Sequence, residues 1–320
     1  MQTPLSRRKV IALCAAAGGA ALVPFGASRR AEAAPLLEWT GVSLGAVATL
    51  RLAHPDRSAG EAILRRAVAE ARRLEAIFSL YRDDTALAEL NRSGVLAAPP
   101  AELVYLLRLC DDMWRLTGGA FDPTVQPLWR CYADHFAGPD ADPTGPPPQK
   151  LAEAVRLVGW TKVGVSRDRI VLGERGMGLT LNGIAQGYIT DRVVDLLRQE
   201  GVHSSLVDMG EIRTLGHRPD GRAWRAEIAT KTPPRRALDL IDKAVATTSA
   251  DGFQFDAGGR CNHLFDPATG HCAGPAVSRT VIAPTAAVAD ALATAFALMD
   301  GERARRVLAE VPDTRLYVDA

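Results

Sequence analysis

The stretch TAAVADALATAFALMDG, residues 285–301, reads as a helix that is apolar nearly all round. Ala287, Val288, Ala291, Leu292, Ala295, Phe296, Leu298 and Met299 leave it no solvated face, the pattern of a helix packed inside a protein. Asp290 sits in its middle and Thr294 follows at i+4, so their oxygens share one side. An ionised carboxylate there needs a cation, donors or a raised pKa to offset its lost hydration. Hard oxygen ligands of this kind suit Mg²⁺ bridging to substrate phosphates. An Asp satisfied by neighbouring backbone amides fits the same residues, and the helix alone leaves both readings open.

Other segments supply what packs around this helix. SAGEAILRRAVAEARRLEAIF, residues 58–78, opens with Ser58 and Glu61 at capping-box spacing and continues as an amphipathic helix. A second helix runs from Pro100 through AELVYLLRLCDDMWRLT to Gly118 and Gly119. GPDADPTGPPPQ, residues 138–149, reads as an irregular loop. Beyond it the chain is strand-rich: KVGV, RIVLG, GLTLN, HSSLVDMG, WRAEIAT, RALDLID, AVATTS and SRTVIAP, interrupted by a helix over 184–199 and by the opening segment. The predicted class is α+β, a large mixed sheet with flanking helices.

The chain has 320 residues with 47% hydrophobic content, enough for a substantial core, which excludes disorder as the dominant state. Its first residues are read separately. Arg7-Arg8, an Ala/Gly-rich run and Ala31-Glu32-Ala33 predict a twin-arginine export signal over 1–33 and a periplasmic mature chain, 34–320, forming one domain. Cleavage after Ala33 would remove five basic residues and one acid, turning a net charge of +1 into −3. That balance carries no footprint for nucleic acid. Cys110, Cys131, Cys261 and Cys272 follow the leader without a CxxC pair or zinc spacing. A Cys261 to Cys272 bridge is open, with nothing in the sequence to support it.

Four loops carry candidate chemistry. LTLNGIAQGYITD, residues 179–191, places Gly183 and Gly187 where backbone can approach a ligand and amides at a helix start attract anions; its spacing is neither a Rossmann fingerprint nor a P-loop, and an ordinary strand-to-helix turn reads the same way. CNHLFDPATG, residues 261–270, sets His263 three residues before Asp266, an acid/base pair or simply a surface His before an Asp-Pro turn. In GGAFDPTVQPLW, residues 118–129, Asp122 before Pro123 can initiate a turn. FSLYRDDTALAELN, residues 78–91, offers Tyr81 either to stack on a planar base or to pack half-buried.

Taken in order, GVSLGAVATL, FSLYRDDTALAELN, GGAFDPTVQPL, LNGIAQGY, LVDMGEIRTLG, ATTS, HLFDPATG and ADALATAFALM resemble the ApbE family of FAD:protein FMN transferases, from about Gly41 to Asp300. The resemblance implies an ApbE-like, T-fold-like architecture, and transfer of FMN from FAD to a Ser or Thr hydroxyl of an exported or membrane flavoprotein, with release of AMP. It implies Mg²⁺ on Asp290, Thr294 and the backbone carbonyl of Ala185. It also implies FAD-binding positions at Tyr81, Phe121, Asp122, Asn182, Gly183, Ile184, Gln186, Gly187, Glu211, Thr248 and His263, with His263 assisting proton transfer and Asp266 supporting it. Departures are Gln186 where the family has a lysine, Ala86 where an acid is usual, Ala250 in place of Gly, and LGAVAT without the usual Gly-Thr. The twin-arginine signal with NGIAQGY is similar to members serving nitrous oxide reductase maturation, the NosX type. An FAD pyrophosphatase and a periplasmic FAD carrier without chemistry are the competing functions.

Overall fold

The computed structural model describes residues 34–228 and 236–319; the expected export signal lies outside them. Strands β1 (Leu36–Ser43) and β2 (Ala46–Ala53) form a hairpin around Leu44 and Gly45, both at positive φ. Helix α1 (Arg57–Phe78) is capped by Asp56, whose carboxylate accepts from the Ala59 amide. That cap lies two residues earlier than the expected Ser58, which already sits inside the first turn, while Glu61 pairs with Arg57. Then come α2 (Ala86–Ser93), β3 (Val95–Ala97), α3 (Ala101–Leu116), α4 (Gln126–Phe136) and α5 (Pro148–Arg156). The end of the expected loop is corrected here: Pro148 and Gln149 open α5, with proline in the first turn, where its missing N–H costs nothing.

In a small sheet β5 (Arg169–Leu172) pairs with both β3 and β4 (Val163–Val165), and α6 (Ala185–Gln199) follows. The expected strand GLTLN is not one. Its Leu179 amide and carbonyl bond instead to the Asn91 side chain (2.7 and 2.8 Å), and the Thr180 amide bonds to Pro123 O (2.8 Å). The Asn91 side chain and a loop carbonyl meet its backbone demand, so it joins no ladder.

The remaining elements are β6 (Ser205–Asp208), β7 (Ile212–Leu215), β8 (Trp224–Ile228), β9 (Arg236–Leu240), β10 (Ala244–Ser249), β11 (Ser278–Ala283), α7 (Ala286–Phe296), α8 (Gly301–Glu310) and β12 (Arg315–Asp319). A seven-stranded sheet runs β1-β2-β6-β7-β10-β11-β12, and every junction is antiparallel. The α+β class stands, with an antiparallel sheet rather than a mixed one. Its two faces are sorted by the two-residue period of the strands. Val207, Ala244, Ala246, Val281 and Ala283 face the helices in the main core, while Leu206, Val245 and Ile282 pack under Trp224, Ala226, Leu238 and Leu240 of the β8–β9 hairpin.

On the helical side α6 and α7 cross in backbone contact. A Cβ on Gly187 would lie 2.3 Å from Ala286 O, a distance that real Cβ atoms do not adopt. Asp191, one turn further along α6, accepts from the amides of Ala286 (2.8 Å) and Ala287 (2.9 Å) and thereby caps α7, whose own Thr285 makes no side-chain cap. Arg213 of β7 donates to the same carboxylate at 2.7 Å.

Because nothing flexible stands opposite Gly187, Gly187→Ala forces the helices apart. We expect it to cost about 3 kcal/mol of stability, the range of overpacking in a tight core, measured as a lowered guanidinium midpoint.

Candidate active site at the α6–α7 crossing

The loop before α6 is wound tightly: Leu181 O accepts from the amides of Ile184 (3.0 Å) and Ala185 (2.8 Å). Ile184 and Ala185 are buried, and Gly183 lies so close to α7 that a Cβ there would stand 2.8 Å from Thr294 Oγ1. The Gly187 amide donates to Asp290 Oδ2 at 3.2 Å, and Thr248 Oγ1 of β10 is 3.5 Å from Thr294 Oγ1. Loop 182–187, Asp290, Thr294 and Thr248, separate in sequence, thus form one cluster. Thr190 Oγ1 donates to Gln186 O (2.9 Å) or Glu211 O (3.1 Å), fastening the first turn of α6 to the β6–β7 turn. The Gln186 amide lies over Gly210, which sits at φ +106°.

The electrostatics are those of an acidic site short of positive charge. Asp290 is 4% exposed, and burial pushes its carboxyl up to about 7 against the pull of the Gly187 amide. Glu211, also buried, is pushed well above the carboxylate range by burial, then by Asp290 and Asp208. Burial raises Asp208 as well. Among the described residues no ion pair involves these three acids; Arg213 is engaged by Asp191, and Arg51, whose charge lowers Asp208, is paired with Glu38. A hard divalent ion fits this arrangement: it would supply the charge that Asp290 lacks, with Thr294 Oγ1 as a neutral second donor. No group of three or more His, Cys, Asp or Glu side chains is placed to hold a metal among the described residues, so further ligands would be backbone, water or phosphate oxygens.

Of the other expected residues, Tyr81 is 46% exposed and its hydroxyl accepts from Asn182 Nδ2 (3.4 Å), which puts an open aromatic face beside the α6 loop. His263 is half-buried. Its Nδ1 faces Phe253 O at 3.2 Å, its ring lies against Gly252, and burial lowers its pKa, so the imidazole is neutral near pH 7. A ring that donates through Nδ1 carries its lone pair on Nε2.

Asp266 does not meet His263. Its carboxylate accepts from the Ala268 (2.8 Å) and Thr269 (3.3 Å) amides of its own turn, the job an Asp before Pro does most cheaply. The acid whose charge bears on His263 is Asp251, which also accepts from Ser249 Oγ. Asp122 is likewise spent on structure: Thr124 Oγ1 (2.5 Å) and the amides of Thr124 (2.8 Å) and Trp160 (3.3 Å) occupy its oxygens. Phe121 is buried in the main core. Asp191, Asp208, Thr190 and Asp251 were missed; only the i+4 spacing of Gly187 and Asp191 hinted that both face α7.

A family model described as the ApbE family matches residues 44–318. A Treponema pallidum (strain Nichols) protein named FAD:protein FMN transferase is 33% identical over 265 residues, covering 74% of this chain and 71% of that protein. One of the same name from Klebsiella pneumoniae (strain 342) is 27% identical over 284 residues, covering 84% and 80%. Among solved structures, the flavin transferase ApbE from Vibrio cholerae aligns with a TM-score of 0.76 at 24% identity over 90% of this chain and 98% of that one. The apo form of Pseudomonas stutzeri flavinyl transferase ApbE gives 0.74 at 25% identity, covering 89% and 95%.

The raised Asp290 pKa has a signed consequence. In chelator, the folded state keeps a proton that the unfolded chain releases at about pH 4. Stability is therefore fully present below that pH and is lost as pH rises through about 7. Asp290→Asn should remove this part of the slope, read from denaturant midpoints across that window.

Proposed function

Because the chain belongs to the ApbE family, we propose that it transfers FMN from FAD to a Ser or Thr hydroxyl of another protein, in a Mg²⁺-dependent reaction at the α6–α7 crossing. The observation that carries this reading is Asp290: a buried carboxylate with one amide donor and, among the described residues, no ion-pair partner, on the same helix side as the Thr294 hydroxyl and against a helix-start loop. Such a carboxylate is poised for a metal that arrives with an anionic substrate.

In this reading Asp290, Thr294 and the Ala185 carbonyl would hold Mg²⁺, which when bound would supply positive charge to the pyrophosphate. With the Ile184, Ala185 and Gly187 amides already engaged, the Gly183 and Gln186 amides of the loop bind phosphate oxygens, and Tyr81 stacks on a ring of FAD. The acceptor hydroxyl oxygen bonds to the phosphorus on the FMN side while that phosphorus separates from the bridging oxygen, which leaves with its electron pair as part of AMP. His263 takes the hydroxyl proton at Nε2, the nitrogen not turned to Phe253 O. Gln186 brings no positive charge to the phosphates, so the metal and the helix dipole carry more of the stabilisation here.

The twin-arginine signal read at residues 1–33 supports a periplasmic enzyme with an exported or membrane-bound acceptor, and the NosX-like NGIAQGY supports service to nitrous oxide reductase maturation. No helix among the described residues is long and apolar enough to cross a membrane.

Purified protein incubated with FAD, Mg²⁺ and an exported acceptor domain should leave flavin fluorescence on the denatured acceptor band. Asp290→Ala should reduce labelling about 100-fold or more, the scale of losing a principal charge-stabilising group. AMP release without labelling would point to the pyrophosphatase, and bound FAD with neither to the carrier.

A further inference from the structure

Cys261 and Cys272 stand at the two ends of the segment that carries His263. Phe265 pairs with Cys272 across this irregular hairpin, Ala273 N donates to Leu264 O (2.8 Å), and Gly270 N closes its tip on Asp266 O (2.7 Å). These bonds bring the two cysteines back together. Cys272 Sγ donates to Asn262 O at 3.2 Å, and the two thiols lie within hydrogen-bonding reach of each other, beside the Tyr132 ring. Both are free thiols; Cys261 is buried and Cys272 is partly open. The other described cysteines are placed differently, Cys110 alone in the main core and Cys131 on α4.

We propose that Cys261 and Cys272 are a paired dithiol that closes to a disulfide when the folded chain meets a disulfide oxidant, and that the bond staples the hairpin bearing His263. The proposal rests on the placement of the thiols and stands apart from the transferase reading. Cys272, the more open of the two, attacks the oxidant's disulfide as a thiolate and expels one thiol. The Cys261 thiolate then attacks Cys272 Sγ and expels the second. Two protons and two electrons leave the pair, and the oxidant becomes two thiols. Burial raises both pKa values, that of Cys261 to about 11. Closure is therefore slow near neutrality and speeds about tenfold for each pH unit. Burial outweighs the hydrogen bonds that Tyr132 and Cys261 offer Cys272 and the charge of Arg260 near Cys261, so neither thiolate is favoured and the closed form resists reduction.

The test uses the full chain, treated with oxidised or reduced glutathione, denatured in iodoacetamide and cut with trypsin. Cleavage after Arg260 and Arg279 leaves both cysteines in one peptide. After oxidation that peptide should be lighter by two hydrogens and unalkylated, while Cys110 and Cys131 are alkylated as before. Thermal midpoints should rise by about 5 °C on oxidation, the scale for closing a loop of this length, and fall back in dithiothreitol. Cys272→Ser and Cys261→Ser should each abolish both effects. Full alkylation of the peptide, a glutathione adduct on Cys272 that never resolves, or a bridge to Cys131 would each overturn the proposal.

Discussion

One carboxylate organises the functional end of this molecule. Asp191 accepts from the first two amides of α7 and from Arg213, joining α6, α7 and β7 at a single group. Helix α7 is almost wholly apolar and brings no cap of its own, and buried amides without partners would cost several kcal/mol. By taking its cap from α6, α7 also takes its register from α6. Asp290, one turn into α7, then meets the amide of Gly187, one turn before Asp191, and Thr294 comes up under Gly183. The contact between Gly187 and Ala286 fixes how far apart these groups stand.

Within that frame the protein holds charge at a cost. Asp290, Glu211 and Asp208 are all raised by burial, and Glu211 feels the other two. Apolar residues of similar volume would make a more stable crossing. A group of acids kept in a well-packed region, each raised by burial, is where function overrides stability.

Much of this was legible along the chain. The apolar run of α7 and the period of α1 announced helices, the strand-rich runs beyond residue 149 announced most of the strands there, and the pairing of Asp290 with Thr294 needed only i+4 geometry. What escaped was non-local. Leu179 and Thr180 look like strand residues, and only the arrival of Asn91 from α2 and of Pro123 keeps them out of a sheet. Asp122 and Asp266 carry the right chemistry in the right motifs, yet each is consumed by a turn. Asp191 looks like one more polar helix residue until the helix that it caps is present. A carboxylate's task depends on which amides reach it, and the chain alone does not record that.

The order of the large sheet bears on how the molecule is assembled. The N-terminal hairpin does not pair with its sequence neighbours; Leu52 lies opposite Ser205, with α1 to α6 and the small sheet made in between. The ladder between β2 and β6 waits for nearly two thirds of the chain, and strand pairing across such a separation is intrinsically slow. A polypeptide built this way leaves the far edge of β2 unpaired until β6 has been made, and completes its sheet late.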